Sequence, residues 1–304
     1  MPELLKAVKH LIEYAGVRVL ALGANKLSIS QARWLGRVLG EFTFNVIRIR
    51  REVTLANLSM AFPQKSTEQI VEIAKSTYQH FGMMLMETLK LLSMDAQEVK
   101  RLLQVENPAP FDQAQSAGKG AILITGHFGN WEYYGAWISA SGYPATYMFQ
   151  EQANPYVSKF IRRFRERMGM EVVPRGMALR SYLKALKQGR FVAALVDQDA
   201  GKNGIFVEFM GRQASTPTGP ARFALKTGAP MLFGVAWRNE DNNLQAYAEP
   251  IRVDYKGLEA EAAVRLIVET YTRMLEKWIR KYPHQWFWMH KRWKTRPGNE
   301  NKLK

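Results

Sequence analysis

Downstream of residue 120, the sequence alternates between short apolar runs and longer stretches with the periodicity of amphipathic helices. The apolar runs have the length of β-strands and are AILIT (121–125), ATYMF (145–149), EVVP (171–174), FVAALV (191–196), IFVEF (205–209), MLFGVAW (231–237) and LQAYAEPIRV (244–253). The helical stretches are 131–139, 155–168, 178–188, 217–227 and 258–281. This alternation is typical of strand–helix–strand units. We therefore predict an α/β fold whose mostly parallel central sheet is flanked by helices.

The first 105 residues have helical periodicity instead of strand-length apolar runs. Within residues 4–15, apolar positions recur at the spacing of an amphipathic helix, which either packs on the protein core or lies on a membrane surface. The most apolar stretch, residues 11–22, contains Glu13 and Arg18. It therefore lacks the roughly 20 mostly apolar residues of a helix that spans a bilayer.

The helical periodicity ends after residue 105. The stretch Asn107-Pro-Ala-Pro110 contains two prolines and is a signal that ends helices. We predict an N-terminal helical, membrane-associating segment at residues 1–105 and an α/β core at residues 106–304. We expect the two to form one continuous structural unit.

The charge of the chain implies an anionic partner. The 304 residues include 43 Lys and Arg against 27 Asp and Glu, a net charge of +16. Nucleic acid, anionic lipid and acidic proteins all suit such a surface. The stretch KYPHQWFWMHKRWKTRP (281–297) mixes aromatic and basic residues, as nucleic-acid sites and membrane interfaces do. No recognisable nucleic-acid-binding motif supports the first alternative, and the absence of cysteine excludes disulfides and thiolate nucleophiles.

The motif GHFGNWE (126–132) follows the first apolar run and holds the strongest candidates for chemistry. A zinc site of the H-E-x-x-H type needs a second histidine one helical turn away, and this motif has one histidine. A dinucleotide fingerprint needs G-x-G-x-x-G, which is not present here. Two interpretations remain: a catalytic pair of His127 and Glu132, and a capped turn with a structural histidine.

The spacing of His127 and Glu132 limits how the two side chains can meet. Five residues along one helix turn them about 140° apart around its axis, so the histidine must lie in the turn and the glutamate in the first helical turn. Asn130 is a good N-cap residue and places the helix start at Trp131. In this arrangement the carboxylate would orient the imidazole, which is the logic of a general base.

GHFGNWE also resembles the H-x4-D/E block of the glycerolipid acyltransferase superfamily, and four further elements follow in the order expected for one of its branches. These elements are Pro174-Arg175-Gly176, LVDQDAG (195–201), FVEFMGRQASTPTGPARFALKTGAP (206–230) and PHQWFWMHKRWKTRP (283–297). Together the five elements resemble the late acyltransferases of lipid A biosynthesis, the lauroyl and myristoyl transferases. The resemblance covers residues 30–297.

This resemblance implies a membrane-associated O-acyltransferase. A fatty acyl chain would pass from a thioester of acyl carrier protein or coenzyme A to a hydroxyl of a lipid A precursor, with His127 as general base oriented by Glu132. No metal or other cofactor is implied, because the thioester is a co-substrate. The implied location is the cytoplasmic face of the cell inner membrane, as a monotopic or peripheral protein whose partners include membrane lipids but no nucleic acid.

A cluster of arginines gives candidates for substrate binding. Residues 155–190 hold ten basic residues against two acidic ones. Arg162 and Arg165 are three apart on a predicted helix and share a face. Because a guanidinium binds phosphate in a bidentate manner, and the implied donors and acceptor carry phosphates, we expect Arg165, and then Arg175, to contact substrate.

Asp197 and Asp199 are two further candidates for the substrate-binding site. They follow an apolar run and lie two residues apart, on the same side of an extended chain. A structural role, in which they hold an arginine or the loop itself, is the alternative.

Two other functions stay open at this point. The same chemistry would serve another acceptor, such as a lysophospholipid, a mannolipid or an ornithine lipid. A non-enzymatic basic protein that binds membranes would also explain the charge, although it would have no need of a histidine base.

Overall fold

The computed structural model describes residues 2–174 and 178–298. Its α-helices are α1 (Pro2–Lys26), α2 (Ile29–Phe42), α3 (Arg51–Ala61), α4 (Thr67–Lys90), α5 (Ala96–Leu102), α6 (Ala109–Ser116), α7 (Trp131–Ala140), α8 (Pro155–Arg167), α9 (Ala178–Lys187), α10 (Gly219–Thr227) and α11 (Ala260–Lys281). A π-helical turn (Thr43–Ile47) ends α2, and short 3₁₀ turns lie at Leu91–Ser93, Gly201–Asn203 and Pro283–Gln285.

The strands form one large sheet and one hairpin. They are β1 (Leu103–Val105), β2 (Ala121–Thr125), β3 (Ala145–Phe149), β4 (Glu171–Pro174), β5 (Phe191–Leu195), β6 (Ile205–Phe209), β7 (Arg212–Thr216), β8 (Met231–Arg238) and β9 (Leu244–Pro250). The large sheet has the order β1-β9-β8-β2-β5-β3-β4, and β8 with β9 is its antiparallel pair. The prediction of a mostly parallel α/β fold is confirmed.

The structure departs from the sequence prediction at the hairpin. The run at 205–209 forms β6, which pairs antiparallel with β7 outside the large sheet. Two strands, β1 and β7, were not predicted. Both are short or polar: β1 has three residues, and β7 reads RQAST. Neither offers the apolar run that indicates a buried strand.

The helix starts follow the capping residues of the sequence. The Ser66 side chain caps α4 by accepting a hydrogen bond from the backbone N–H of Gln69, and the Gln69 side-chain oxygen accepts one from the backbone N–H of Ser66. Asn130 caps α7 by accepting from the backbone N–H of Tyr133 at 3.1 Å. Each cap satisfies backbone donors that the first helical turn would leave without partners.

The aromatic residues near the C-terminus lie inside the protein. Trp286, Trp288 and Trp293 are 1%, 0% and 8% exposed and belong to the main hydrophobic core. The interpretation of this stretch as an aromatic membrane contact is therefore wrong for these three tryptophans. Their rings pack against one another and against Phe62 and Phe209, and burial of so large an apolar surface stabilises the fold.

Most of the exposed large apolar residues of the described chain lie instead near the N-terminus. In α1, Leu4, Leu5 and Ile12 are between 66% and 70% exposed, and in α2 Trp34 is 66% exposed. Within residues 2–174 and 178–298, no helix combines the length and the hydropathy needed to cross a bilayer.

Candidate active site

His127 and Asp197 meet at one edge of the large sheet. The strands β2 and β5 are parallel neighbours, and their last residues, Thr125 and Leu195, are paired. Residues two positions beyond each strand end therefore lie side by side. His127 Nδ1 is 2.8 Å from Asp197 Oδ1, and the His127 backbone N–H donates to Asp197 Oδ2 at 2.6 Å.

Two glycines make this close approach feasible. A Cβ atom at Gly126 would lie 3.0 Å from Asp197 Oδ2, so a side chain there would push the carboxylate away. Gly129 has a φ of +59°, and a Cβ atom there would lie 1.6 Å from the carbonyl oxygen of Ala236. The turn between β2 and α7 thus needs glycine at both positions of the motif.

Asp197 is a buried carboxylate, and each of its two oxygens has at least one hydrogen-bond partner. Its side chain is 2% exposed. The indole N–H of Trp286 donates to Oδ2 at 2.8 Å. Burial raises the pKa of Asp197, but the charge and hydrogen bonds of His127, with the Trp286 hydrogen bond, outweigh it and hold the pKa below its ordinary value. Asp197 is therefore ionised and fixes the His127 ring.

The other nitrogen of His127, Nε2, belongs to a partly exposed side chain. Because an ionised carboxylate can only accept, Nδ1 carries the ring proton and Nε2 is left as the basic atom. The Gln198 side-chain nitrogen lies 3.4 Å from Nε2, and the His127 side chain is 23% exposed. The ring packs against Trp131 and Phe287, with centroid distances of 5.1 and 6.3 Å.

Glu132 lies in the first turn of α7, as predicted, but its carboxylate binds Arg165. Arg165 Nη2 donates to Oε1 at 2.5 Å and Arg165 Nε donates to Oε2 at 3.2 Å, while the Trp131 indole N–H donates to Oε1 at 3.2 Å. The expectation that Glu132 orients His127 is corrected here: the carboxylate at Nδ1 is that of Asp197. The parallel neighbour strand brings Asp197 to the ring, while α7 turns Glu132 toward α8.

Arg165 joins α8 to the site through this ion pair. Its side chain is 19% exposed, and its guanidinium lies 5.6 Å from the ring centroid of Phe149. Arg162, on the same helix, instead pairs with Glu166 on the surface, where both side chains are about half exposed. Arg175 lies outside the described residues.

Asp199 connects the loop that follows β5 to the C-terminal segment, which comprises residues 283–298. Its carboxylate accepts from the Thr295 hydroxyl at 3.0 Å and from the Gly201 backbone at 3.2 Å. Its own backbone N–H donates to His290 Nε2 at 3.0 Å. The Asp199 side chain is 1% exposed. These contacts agree with the structural alternative, in which Asp199 holds the loop and does not bind substrate.

A buried charge network beneath the turn was not found from the sequence. Glu87 of α4 is fully buried and lies 2.6 Å from both Arg33 Nε and Arg238 Nη2. It also accepts from the Asn130 side-chain amide at 2.9 Å. Burial alone raises the pKa of Glu87, but the Arg238 and Arg33 charges outweigh it and lower the pKa. The sequence does contain one sign of this network: Glu87 is the only carboxylate within the apolar stretch MMLMETLKLL (83–92), and a carboxylate buried in such a stretch needs partners.

The C-terminal segment closes the site from one side. Phe128 and Trp286 form an antiparallel bridge, and the Phe287 backbone N–H donates to the His127 carbonyl at 3.0 Å. The Gly129 N–H donates to the Gln285 carbonyl at 2.7 Å. The motif at 126–132 is therefore held by residues about 160 positions later in the chain. Among the described residues, no group of three or more His, Asp or Glu side chains is arranged to hold a metal ion.

The fold and this geometry define a class of site: a histidine held by a buried carboxylate at the carboxyl edge of a parallel sheet, with Nε2 as its basic nitrogen. Comparison with known sequences gives the family. The profile described as "Bacterial lipid A biosynthesis acyltransferase" matches residues 1–295. The chain belongs to this family, and it is an enzyme of the lipid A late acyltransferase type.

Curated relatives of the chain are similar to it in sequence over most of their lengths. The lipid A biosynthesis palmitoleoyltransferase of Escherichia coli K12 is 27% identical over 273 residues, which cover 89% of this chain and 87% of that protein. The lipid A biosynthesis lauroyltransferase of the same organism is 27% identical, covering 86% and 85%. The phosphatidylinositol mannoside acyltransferase of Mycolicibacterium smegmatis is 25% identical over 212 residues, covering 68% and 67%.

Proposed function

We propose that this acyltransferase transfers a fatty acyl chain from the thioester of acyl carrier protein or coenzyme A to a hydroxyl of a lipid A precursor. The observation that carries this proposal is the 2.8 Å contact between His127 Nδ1 and Asp197, which leaves Nε2 as the basic atom of a partly exposed ring. An acyl transfer to a hydroxyl needs such a base, because the hydroxyl must lose its proton as it attacks.

His127 acts twice in this reaction. Its Nε2 accepts the proton of the acceptor hydroxyl while the oxygen forms a bond to the thioester carbonyl carbon, whose π electrons move to the carbonyl oxygen. The tetrahedral intermediate then collapses, the C–S bond breaks, and the leaving sulfur takes the proton from Nε2. The products are an ester and a free thiol, and His127 returns to its starting form. Asp197 stabilises the imidazolium between the two steps.

Glu132 and Arg165 act as a second unit. Glu132 holds the guanidinium of Arg165 through two hydrogen bonds, which limits the orientations that Arg165 can adopt. The remaining N–H groups of Arg165 then bind a phosphate of the donor or the acceptor, since a guanidinium offers phosphates a bidentate contact. Glu132 is in this scheme a positioning residue for Arg165.

The enzyme acts on the cytoplasmic face of the inner membrane, to which it binds without spanning it. Exposed apolar residues of α1 and α2, such as Leu5 and Trp34, support insertion into the headgroup region. The net charge of +16 supports attraction to anionic lipid.

A second acceptor, a mannosylated phospholipid, is favoured by one observation. A relative named phosphatidylinositol mannoside acyltransferase matches 68% of this chain. The chemistry at His127 would be the same, since both acceptors present a hydroxyl to be acylated.

Mass spectrometry of the host's lipids tests the choice between the acceptors. The gene is deleted, and the deletion strain is complemented with the wild-type gene or with His127→Ala. We expect lipid A from the deletion strain and from the His127→Ala strain to lack one acyl chain, and the wild-type gene to restore it. Unchanged lipid A together with a mannolipid that loses an acyl chain would establish the second acceptor instead.

A further inference from the structure

A pocket lies between α3, β7 and the C-terminal segment, beyond the residues assigned to catalysis. Its volume is about 600 Å³. One wall is apolar and is formed by Val53, Ala56 and Met60 of α3, together with Trp293. An apolar wall of this kind suits a ligand that has a hydrocarbon part.

The rest of the pocket is strongly cationic. Four basic residues line it: Arg212, Lys291, Lys294 and Arg296. Within the described ranges, the only carboxylate in salt-bridge contact with any of them is Asp199, 3.8 Å from Lys294 Nζ, and Asp199 already accepts hydrogen bonds from Thr295. Four like charges around one cavity repel one another, and a bound anion would relieve that repulsion.

The pocket walls are fixed to one another. The side-chain amide of Asn57, on α3, donates to the carbonyl oxygens of Trp288 and His290, both at 2.8 Å. These bonds hold the C-terminal segment against α3 where the pocket forms. The cations at 291–296 therefore sit on a backbone anchored in the core, although their side chains reach solvent.

The chain that leads into α3 is exposed and apolar. Val46, Ile47 and Ile49 are 62%, 50% and 60% exposed. Arg48 and Arg50, which alternate with them, are exposed as well. Apolar side chains mixed with cations are typical of a surface that inserts between lipid headgroups. The first residue that lines the pocket, Val53, thus follows this exposed segment (46–50) by three positions in the chain.

We propose that this pocket binds the phosphate headgroup of an anionic membrane lipid, with the phosphate among Lys291, Lys294 and Arg296 and the glycerol end of the acyl chains against the α3 wall. The proposal rests on the membrane association in the proposed function. A lipid is favoured over the phosphate of a soluble thioester because the wall of the pocket is apolar and an exposed apolar segment adjoins it.

The test is flotation of the purified full-length protein with vesicles. Vesicles of phosphatidylcholine alone are compared with vesicles that also contain phosphatidylglycerol, for wild type and for the triple variant Lys291→Gln, Lys294→Gln, Arg296→Gln. We expect the triple variant to bind the anionic vesicles about 100-fold less, since each cation at an anionic surface contributes about fivefold. Binding to phosphatidylcholine alone should not change.

A matched variant controls for net charge. Arg180→Gln, Lys184→Gln, Lys187→Gln removes the same charge from exposed positions of α9, and we expect it to change binding by no more than a few fold. Equal losses in the two triple variants would overturn the proposal, because a general surface charge would then explain the binding. Unchanged vesicle binding by the pocket variant would overturn it too.

Two further measurements separate the lipid from the thioester and the pocket from the enzyme. Coenzyme A binding is measured by calorimetry: a pocket variant that loses coenzyme A binding but keeps vesicle binding would make this a donor site and overturn the proposal. Acyl transfer is measured in detergent micelles, where we expect the pocket variant to keep the wild-type kcat. If the wild-type protein binds anionic vesicles through the pocket but shows no acyl transfer, the proposed function alone is contradicted.

Discussion

Asp197 lies 2.8 Å from His127 Nδ1 and also accepts the backbone N–H of the same histidine. One carboxylate therefore fixes both the ring and the turn that carries it. The two residues are 70 positions apart in the chain and meet because β2 and β5 are parallel neighbours. This pairing determines which variants should damage catalysis.

Asp197→Asn should lower kcat by at least about 10²-fold, the lower range for loss of general-base catalysis. The amide keeps the size of the carboxylate but removes the charge that supports the imidazolium. His127→Ala should cost at least as much, and the double variant little more, because residues that act as a unit are not additive. Steady-state assays with purified donor and acceptor measure this. Fully multiplicative losses would contradict the pairing of His127 with Asp197.

Arg165→Lys should lower kcat/KM by about tenfold or more, because lysine keeps the charge but loses the two-pronged contact with Glu132. Glu132→Gln should have a similar effect, since it releases the same guanidinium. Arg162→Lys is the matched control, because that arginine pairs with Glu166 at the exposed surface. If Arg165→Lys behaves like Arg162→Lys, the ion pair of Arg165 has no role in substrate binding.

Glu87→Gln should reduce the free energy of unfolding by about 3–5 kcal/mol, the cost of leaving buried charges without their partner. The variant leaves Arg33 and Arg238 without the carboxylate that both contact. Urea unfolding followed by circular dichroism measures this. Glu261→Gln, which breaks an exposed pair with Arg222, should leave the midpoint unchanged. A midpoint for Glu87→Gln equal to that of the control would mean that the network does not stabilise the fold.

The stability of the protein should fall as the pH drops below about 6.5, the ordinary pKa of histidine. His80 is buried against the turn at 126–130, and burial, with the nearby charges of Arg238 and His284, holds its pKa well below that value. Below pH 6.5 the unfolded chain binds a proton at His80 and the folded chain does not, so the equilibrium moves toward unfolding. The contribution of His80 is fully present above pH 6.5.

His80→Gln isolates this contribution. The amide can keep a hydrogen bond to the Gly129 carbonyl, which His80 Nε2 contacts at 3.2 Å, but it does not titrate. Unfolding free energies between pH 7.5 and 5 should fall less steeply for the variant than for wild type, by up to about 1.4 kcal/mol per pH unit. Parallel pH profiles for the two proteins would show that His80 is not kept neutral by the fold.

The sequence by itself determined the local elements of this protein. The apolar runs at 121–125 and 191–196 predict β2 and β5, because a strand buried on both faces needs apolar residues throughout. Asn130 predicts the start of α7, because its side chain satisfies a backbone donor that the helix cannot. The glycines and histidine of the motif at 126–132 predict a functional turn for similar local reasons.

Only the tertiary structure decided which of these elements are neighbours. Local patterns indicate that a strand is buried, but they do not say that β2 lies beside β5 and not beside β3, and so the sequence pointed to Glu132 where the fold supplies Asp197. The same limit applies to Trp286, whose aromatic and basic surroundings suggest a membrane contact. Its indole is buried and donates to Asp197, because the segment after α11 folds back onto the turn at 126–130 and places Trp286 in the main hydrophobic core.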